Sequence, residues 1–345
     1  MNPKQEKALI AGNNQGSKSN KVQTDYRASS RENVASYADI LRNFQQVLID
    51  TFNHAPAEIK VSGKIERYSL TGKQSDLSAW YVCHEFTYQL GNQHQIGLAC
   101  VFGDHRSKLK GEWNSFDITR LTYSEQKALR AKQLEQHRQY QAELTAKYQQ
   151  AQEQALKHWN AAVVANPNHP YLVRKQCGAF GIKQQGQQLL IPVCDFDGVL
   201  HGLQFIDPNG KKQFLRGMAK RGHFCLIGST LTHPKGVYLC EGYATGASLH
   251  IASGLPVIVA FDAGNLLSVA ERYRQRFPQA ELILCADNDR KTAGNPGVTQ
   301  ARAVLERIQG VKLIIPEFPA STPLHFSDFN DLVALLGNRA KELLA

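Results

Sequence analysis

The chain has 345 residues, 42% of them hydrophobic and 20% charged, a balance typical of a soluble globular protein with room for two or three domains. Its formal net charge of +10 points to nucleic acid or another polyanion, with a merely basic protein as the alternative. No signal peptide or apolar run of membrane length is visible, which argues against a membrane partner and places the chain in the cytoplasm.

Residues 1–34 are polar and read as a disordered basic tail. Its Lys4, Lys7, Lys18, Lys21, Arg27 and Arg31 could touch a phosphate backbone, or could simply be solvated. Residues 35–118 read as a small α+β domain, an accessory or nucleic-acid module. A helix over Tyr37–Phe52 carries Ile40, Leu41, Phe44, Val47, Leu48 and Phe52 on one face. Strand-like runs follow at Glu58–Tyr68, Ser78–Leu90 and Gln95–Phe102, with Gly63, Gly72 and Gly91 as turn residues. Trp80, Tyr81, Phe102 and Trp113 accompany Lys64, Arg67, His105 and Arg106. Such a set either stacks bases and holds a backbone or is this domain's own core. Residues 119–160 form a connecting helix, Thr122–Trp159, without Gly or Pro. Its apolar stripe is thin: Leu129, Leu134, Leu144, Tyr148 and Leu156. It reads as a brace between domains, since no strict heptad supports a coiled coil.

Pro167 and Pro170 mark a boundary, and residues 161–235 read as a basic α+β subdomain. Strands Gln188–Val193 and Leu200–Ile206 flank the turn Asp197-Gly198, so Asp195 and Asp197 read as hairpin residues rather than metal ligands. Lys211, Lys212, Arg216, Lys220 and Arg221 then form a basic run, either a solvated face or a site for nucleotide and template phosphates.

From residue 236 to 345 the pattern alternates regularly. Strands at Val237–Cys240, Pro256–Phe261, Glu281–Ala286 and Val311–Ile315 alternate with helices at Thr245–Ala252, Asn265–Arg276, Gly297–Ile308 and one starting near Asp328. This rhythm predicts an α/β fold with a parallel sheet flanked by helices. Gly242 and Gly246 bracket an expected tight turn. Glu241 ends the first strand, and Asp287 and Asp289 end the third. Ligands bind at the carboxyl ends of such strands. Three carboxylates there repel one another unless a hard cation joins them, which predicts a phosphate-handling Mg²⁺ site, with surface acids at strand ends as the alternative. The seven cysteines form no CxxC pair, so no zinc is expected; most lie in apolar runs as buried thiols.

EGYATG followed by ADND resembles the Toprim domain shared by bacterial primases, type IA and II topoisomerases and some nucleases. The preceding LLIPVCDFDGVLHGLQFIDPNGKKQFLRG is similar to the basic segment ahead of Toprim in primases. HPYLVRKQ and SDFNDL resemble plasmid- and phage-encoded DNA primases, relatives of the bacterial replicative enzymes. The resemblance covers roughly Asn166–Leu336, and more weakly the SAWYV and VFGDHR runs. It implies synthesis of short RNA primers on a single-stranded DNA template from ribonucleoside triphosphates, with Mg²⁺ (or Mn²⁺). It implies Glu241 as general acid/base or metal-shaping group and Asp287 and Asp289 as metal ligands. Asp262, Asp328 and Asp331 become accessory acids, with helix capping an equal role for Asp328. Lys211, Lys212 and Arg216 would hold phosphates or template. The zinc module and fused helicase of some relatives have no counterpart, so either the aromatic N-terminal domain replaces the zinc module in start-site choice or a partner supplies it; a replicative helicase or other replication protein is the expected protein partner. DNDRKTAGNPG is longer than the compact acidic loop of replicative primases. A metal-dependent Toprim nuclease and a non-catalytic single-stranded-DNA-binding protein are the alternatives; a topoisomerase lacks room for a catalytic-tyrosine domain.

Overall fold

The computed structural model describes residues 36–73, 76–90, 93–107, 109–116, 121–228, 231, 236–337 and 339. The basic residues of the N-terminal tail fall outside them. The chain divides into two compact units, residues 1–143 and 144–345.

In the first unit, helix α1 (Tyr37–Phe52) starts with a reciprocal cap. The Ser36 hydroxyl accepts from the Asp39 N–H, and the Asp39 carboxylate accepts from the Ser36 N–H. Its buried Ile40, Phe44, Val47 and Leu48 lie on a four-stranded antiparallel sheet of β1 (Glu66–Tyr68), β2 (Ala79–Leu90), β3 (Gln93–Asp104) and β4 (Lys110–Asn114). The run expected as a strand from Glu58 is one only from Glu66. Gly63 turns at φ 68°, and the Lys64 N–H is taken by the Ser62 hydroxyl, which interrupts the extended backbone. The aromatics divide between the two expected roles. Tyr81 and Phe102 face each other across the strands and pack with Phe44, as does Trp113. Trp80 lies on the opposite face beside His105, with ring centroids 6.0 Å apart.

Helix α2 (Tyr123–Ala161) is continuous. Of its expected stripe only Leu129 is buried, in the first unit; Leu134, Tyr148 and Leu156 are exposed. In its later turns alanines are buried instead, and Ala155 joins Leu190, Leu200 and Leu203 in a small core.

The second unit begins with an antiparallel sheet in the order β5 (Val163–Val164), β6 (Lys183–Gln185), β7 (Gln188–Cys194), β8 (Leu200–Ile206), β9 (Lys212–Phe214). Helix α3 (Pro170–Lys175) precedes β6, with Pro170 in its first turn, where its missing N–H costs nothing. The β7–β8 hairpin turns at Gly198, φ 79°.

The second sheet has the order β10 (Cys225–Ile227), β12 (Val257–Val259), β11 (Gly236–Cys240), β13 (Glu281–Cys285), β14 (Val311–Ile314). Strands β11 to β14 run parallel; β10 is an antiparallel edge that sequence alternation does not reveal, because three residues are too short to show a period. Helices α4 (Tyr243–Ser253), α5 (Ala263–Arg276), α6 (Pro296–Arg307) and α7 (Phe329–Leu336) cover it. Strand alternation sorts the packing. Tyr238, Cys240, Val257, Val259 and Cys285 bury one face with α4 and α7. Leu239, Ile258, Leu282 and Leu284 bury the other with α5 and α6. The first of these cores also takes in Tyr171, Leu172, Leu189, Ile191 and Ile206, so the antiparallel and parallel sheets share one apolar interior. The turn expected at Gly242–Gly246 is shorter than read. Helix α4 starts at Tyr243, and Gly246 lies inside it, where a Cβ would come 2.7 Å from Val259 Cγ2. Close helix–strand approach, not turn geometry, requires that glycine.

Candidate active site

Strand β11 is followed by α4 on one face of the sheet, and β13 by α6 on the other. Between these neighbouring strands the connections diverge, which opens a crevice at their carboxyl ends. Glu241 leaves β11 directly into it. Asp287 and Asp289 follow β13, and Asp262 follows β12 as the residue before α5. Parallel pairing alone puts these ends on one edge.

The crevice is electrostatically strained. Burial raises the Glu241 pKa to about 7, and the charges of Asp289 and Asp262 add to the effect. Burial raises Asp287 to about 8, helped by Glu241, Asp328 and Asp289. Asp328 is also raised, by burial and by Asp331. Glu241 Oε1 and Asp287 Oδ1 are buried without a hydrogen-bond partner among the described residues. Buried acceptors normally find one, and a proton, an ordered water or a cation satisfies such an oxygen. Among the described residues, no three His, Cys, Asp or Glu side chains close tightly enough to enclose an ion; the acids line the crevice instead. An all-oxygen set with two orphaned oxygens nevertheless suits a hard divalent cation that keeps water or phosphate ligands of its own.

Cations border the acids. Lys212 keeps exposed surface, yet its ammonium sits among Asp328, Asp287 and Lys175. Burial pulls its pKa down, Lys175 adds to the fall, and Asp328 and Asp287 oppose it. The ammonium of Lys220 pairs with Asp262 and lies 5.0 Å from the centroid of the Phe214 ring. Lys175, which sequence reading passed over, pairs with Asp331 at 3.6 Å. Only the fold brings α3 to this edge.

The chain matches a family model described as Toprim domain over residues 236–339. Residues 236–339 form a Toprim domain. Two curated relatives, each named DNA primase TraC from Escherichia coli, are 37% identical over 141 residues and 33% identical over 159 residues. These alignments cover 39% and 43% of this chain but only 13% and 11% of the relatives' lengths. Among solved structures, the Aquifex aeolicus primase (zinc binding and RNA polymerase domains) aligns with 89% of this chain and 84% of its own, at 12% identity and a TM-score of 0.38.

The remaining basic residues of the run are dispersed around the Toprim domain. The Lys211 N–H donates to Asp207 Oδ1 in the β8–β9 turn. Arg216 borders an open depression with Gln188, Phe205 and Phe214. The Arg221 Nε donates to Ser268 on α5. Asp328 combines its two expected parts: it caps α7 by accepting from the Asp331 N–H, and its charge still acts on Asp287. Asp331 is spent on Lys175 and the Ser327 N–H. Asp195 and Asp197 lie in the hairpin turn, as read from sequence.

Sequence reading missed the residues that shape the acidic loop. Asn295 has left-handed backbone, φ 41°, and Gly297 packs so closely that a Cβ would come 2.3 Å from the Asp287 carbonyl oxygen. The only signal was the GNPG run itself, which reads as an ordinary turn.

Proposed function

We propose that this chain is a DNA primase of the plasmid and phage type, making short RNA primers on single-stranded DNA by metal-dependent nucleotidyl transfer. One observation carries the reading: buried carboxylates of Glu241 and Asp287 with unpartnered oxygens, at the strand ends of a Toprim domain and bordered by Lys212 and Lys220. The curated relatives named as DNA primases support it.

Glu241, with a pKa near 7, is poised to take the proton of an attacking 3′-hydroxyl at Oε1. Asp287 and Asp289 would hold Mg²⁺ or Mn²⁺, which when bound neutralises charge on the transferring phosphate. Lys212 and Lys175 would contact the phosphates of a ribonucleoside triphosphate, and Lys220 would join them by leaving Asp262. Lys211, Arg216 and Arg221 extend positive charge outward for the template. Asp262 and Asp328 tune the two central acids. Templates and ribonucleotides place the reaction in the cytoplasm, and a replicative helicase is the partner whose exposed strand it would use. Among the described residues, no helix is long and apolar enough to cross a membrane.

Purified chain, single-stranded DNA, labelled ribonucleotides and Mg²⁺ should yield short RNA, and the Asp287→Asn protein should yield none. Metal-dependent shortening of the template without RNA would replace this reading with a nuclease. DNA binding with neither activity would indicate a non-catalytic binding protein.

A further inference from the structure

A pair of asparagines joins the two ends of the acidic loop, beside Arg290, whose Nη2 donates to the Pro323 and Phe326 carbonyls at 3.1 Å. The Asn295 amide donates from Nδ2 to Asn288 Oδ1 at 2.9 Å and accepts the Asp289 N–H on Oδ1 at 2.9 Å. Asn288 is consumed on its other sides as well: its N–H donates to the Ser327 carbonyl at 2.7 Å, and its Nδ2 to the Pro316 carbonyl at 3.1 Å. The residue between the two acids is therefore tied on three sides. Asn295 also sets up the start of α6, whose Gly297 N–H donates to Asp289 Oδ2 at 3.1 Å. Asn tolerates the left-handed backbone better than most residues, and its amide supplies both a donor and an acceptor.

We infer that Asn295 is the positioning residue of this site, clasping Asn288 and Asp289 so that Asp287 and Asp289 present their carboxylates at a spacing set before any cation arrives. The inference rests on the proposed reading of the carboxylates as a divalent-cation site. It explains how an acidic loop as long as DNDRKTAGNPG stays ordered: the chain from Arg290 to Gly294 bridges the two ends of the clasp, while the clasp sets the geometry. The Thr292 N–H, bonded to the Asp289 carbonyl, and the Asn295 N–H, bonded to the Thr292 carbonyl, close that bridge as successive turns. Losing a partner that orients a metal ligand typically weakens metal binding about 10–100-fold.

Backbone and amide can be separated. Asn295→Gly keeps the left-handed backbone and deletes only the amide. Asn288→Ala deletes the other half of the pair. Mn²⁺ affinity, measured by calorimetry or electron paramagnetic resonance, should fall about tenfold or more in each variant. The double variant should lose less than the product of the two single losses, because both single changes remove the shared Asn295–Asn288 bond. Thermal unfolding in chelator reports any purely structural contribution separately. If Asn295→Gly binds Mn²⁺ as tightly as the parent, the inference is overturned even when its melting temperature drops. If the parent binds no Mn²⁺, or Asp287→Asn binds it equally well, the cation-site reading fails and takes the clasp with it.

Discussion

Two Asp-x-Asp runs in this chain meet opposite fates. In Asp195-Phe196-Asp197, Asp195 Oδ1 accepts from the N–H groups of Asp197 and Val199, and Oδ2 lies 2.7 Å from His201 Nε2. Burial pushes its pKa up, but the bonds from His201, Val199 and Asp197 outweigh it and leave the carboxyl below its ordinary range. In Asp287-Asn288-Asp289, Asp287 has a buried oxygen with no partner among the described residues, and burial raises its pKa to about 8. The spacing of the acids is the same. What differs is the connection that follows the preceding strand. Between β7 and β8 the chain reverses at once, and its own N–H groups turn back onto the carboxylate. After β13 the chain passes on to a parallel neighbour, and the carboxylate is left facing other acids from other strands. The first carboxylate is satisfied by its own turn, whereas the second keeps a buried oxygen with no partner among the described residues.

Substitutions can sharpen this contrast. The largest effect should come from Asp287→Asn, which should lower metal-dependent RNA synthesis at least about a hundredfold while leaving DNA binding intact. The same change at Asp195 should leave the reaction rate per folded molecule unaltered. Gly297→Ala should disturb Asp287 from behind, because the new methyl meets its carbonyl oxygen; a stability loss of about 1–3 kcal/mol, seen in urea titration, should accompany weaker metal binding. Asp195→Asn should cost about 1–3 kcal/mol by weakening charged hydrogen bonds, whereas Asp287→Asn should cost the metal-free protein little or nothing.

The two runs should also pull stability in opposite directions with pH. Glu241 and Asp287 have folded pKa values raised to about 7 and about 8, so the folded state binds their protons more tightly than the unfolded chain does. Their stabilising effect is present below the ordinary carboxylate range and is lost as pH rises toward 8. Asp195, lowered in the fold, contributes above its ordinary range and loses that contribution on acidification. Thermal melts in chelator should therefore show the parent losing more stability than Asp287→Asn between about pH 5 and pH 8, a difference that saturating Mn²⁺ reverses, whereas His223, held down to about 4 by burial, pulls the other way equally in both proteins. Equal pH slopes in the two proteins would count against the buried, unpartnered acids. The smallest effect belongs to Asp197→Ala, which removes an exposed pair with Arg276, 3.2 Å apart, and should cost under about 1 kcal/mol without touching activity.

The sequence by itself determined the alternation of strands and helices from Val237 onward, because apolar runs bounded by turn residues are local features. It likewise identified Glu241, Asp287 and Asp289 as strand-end acids, and the DFDG run as hairpin chemistry that depends on neighbouring residues alone. It could not sort Trp80 from Tyr81, since the choice of face depends on which side α1 covers. It spread the basic run evenly over five residues, where the fold brings Lys212 and Lys220 to the acids and ties Arg221 to α5. Lys175 and the edge strand β10 carried no local signal, and Asn295 carried only the unspecific GNPG run. Their roles arise from contacts between segments far apart in sequence, or from a backbone shape that a composition of Gly, Asn and Pro permits without specifying. Only the tertiary structure decided them: periodicity and turn chemistry act over a few residues, whereas the electrostatics of the crevice depend on which strand ends parallel pairing places side by side.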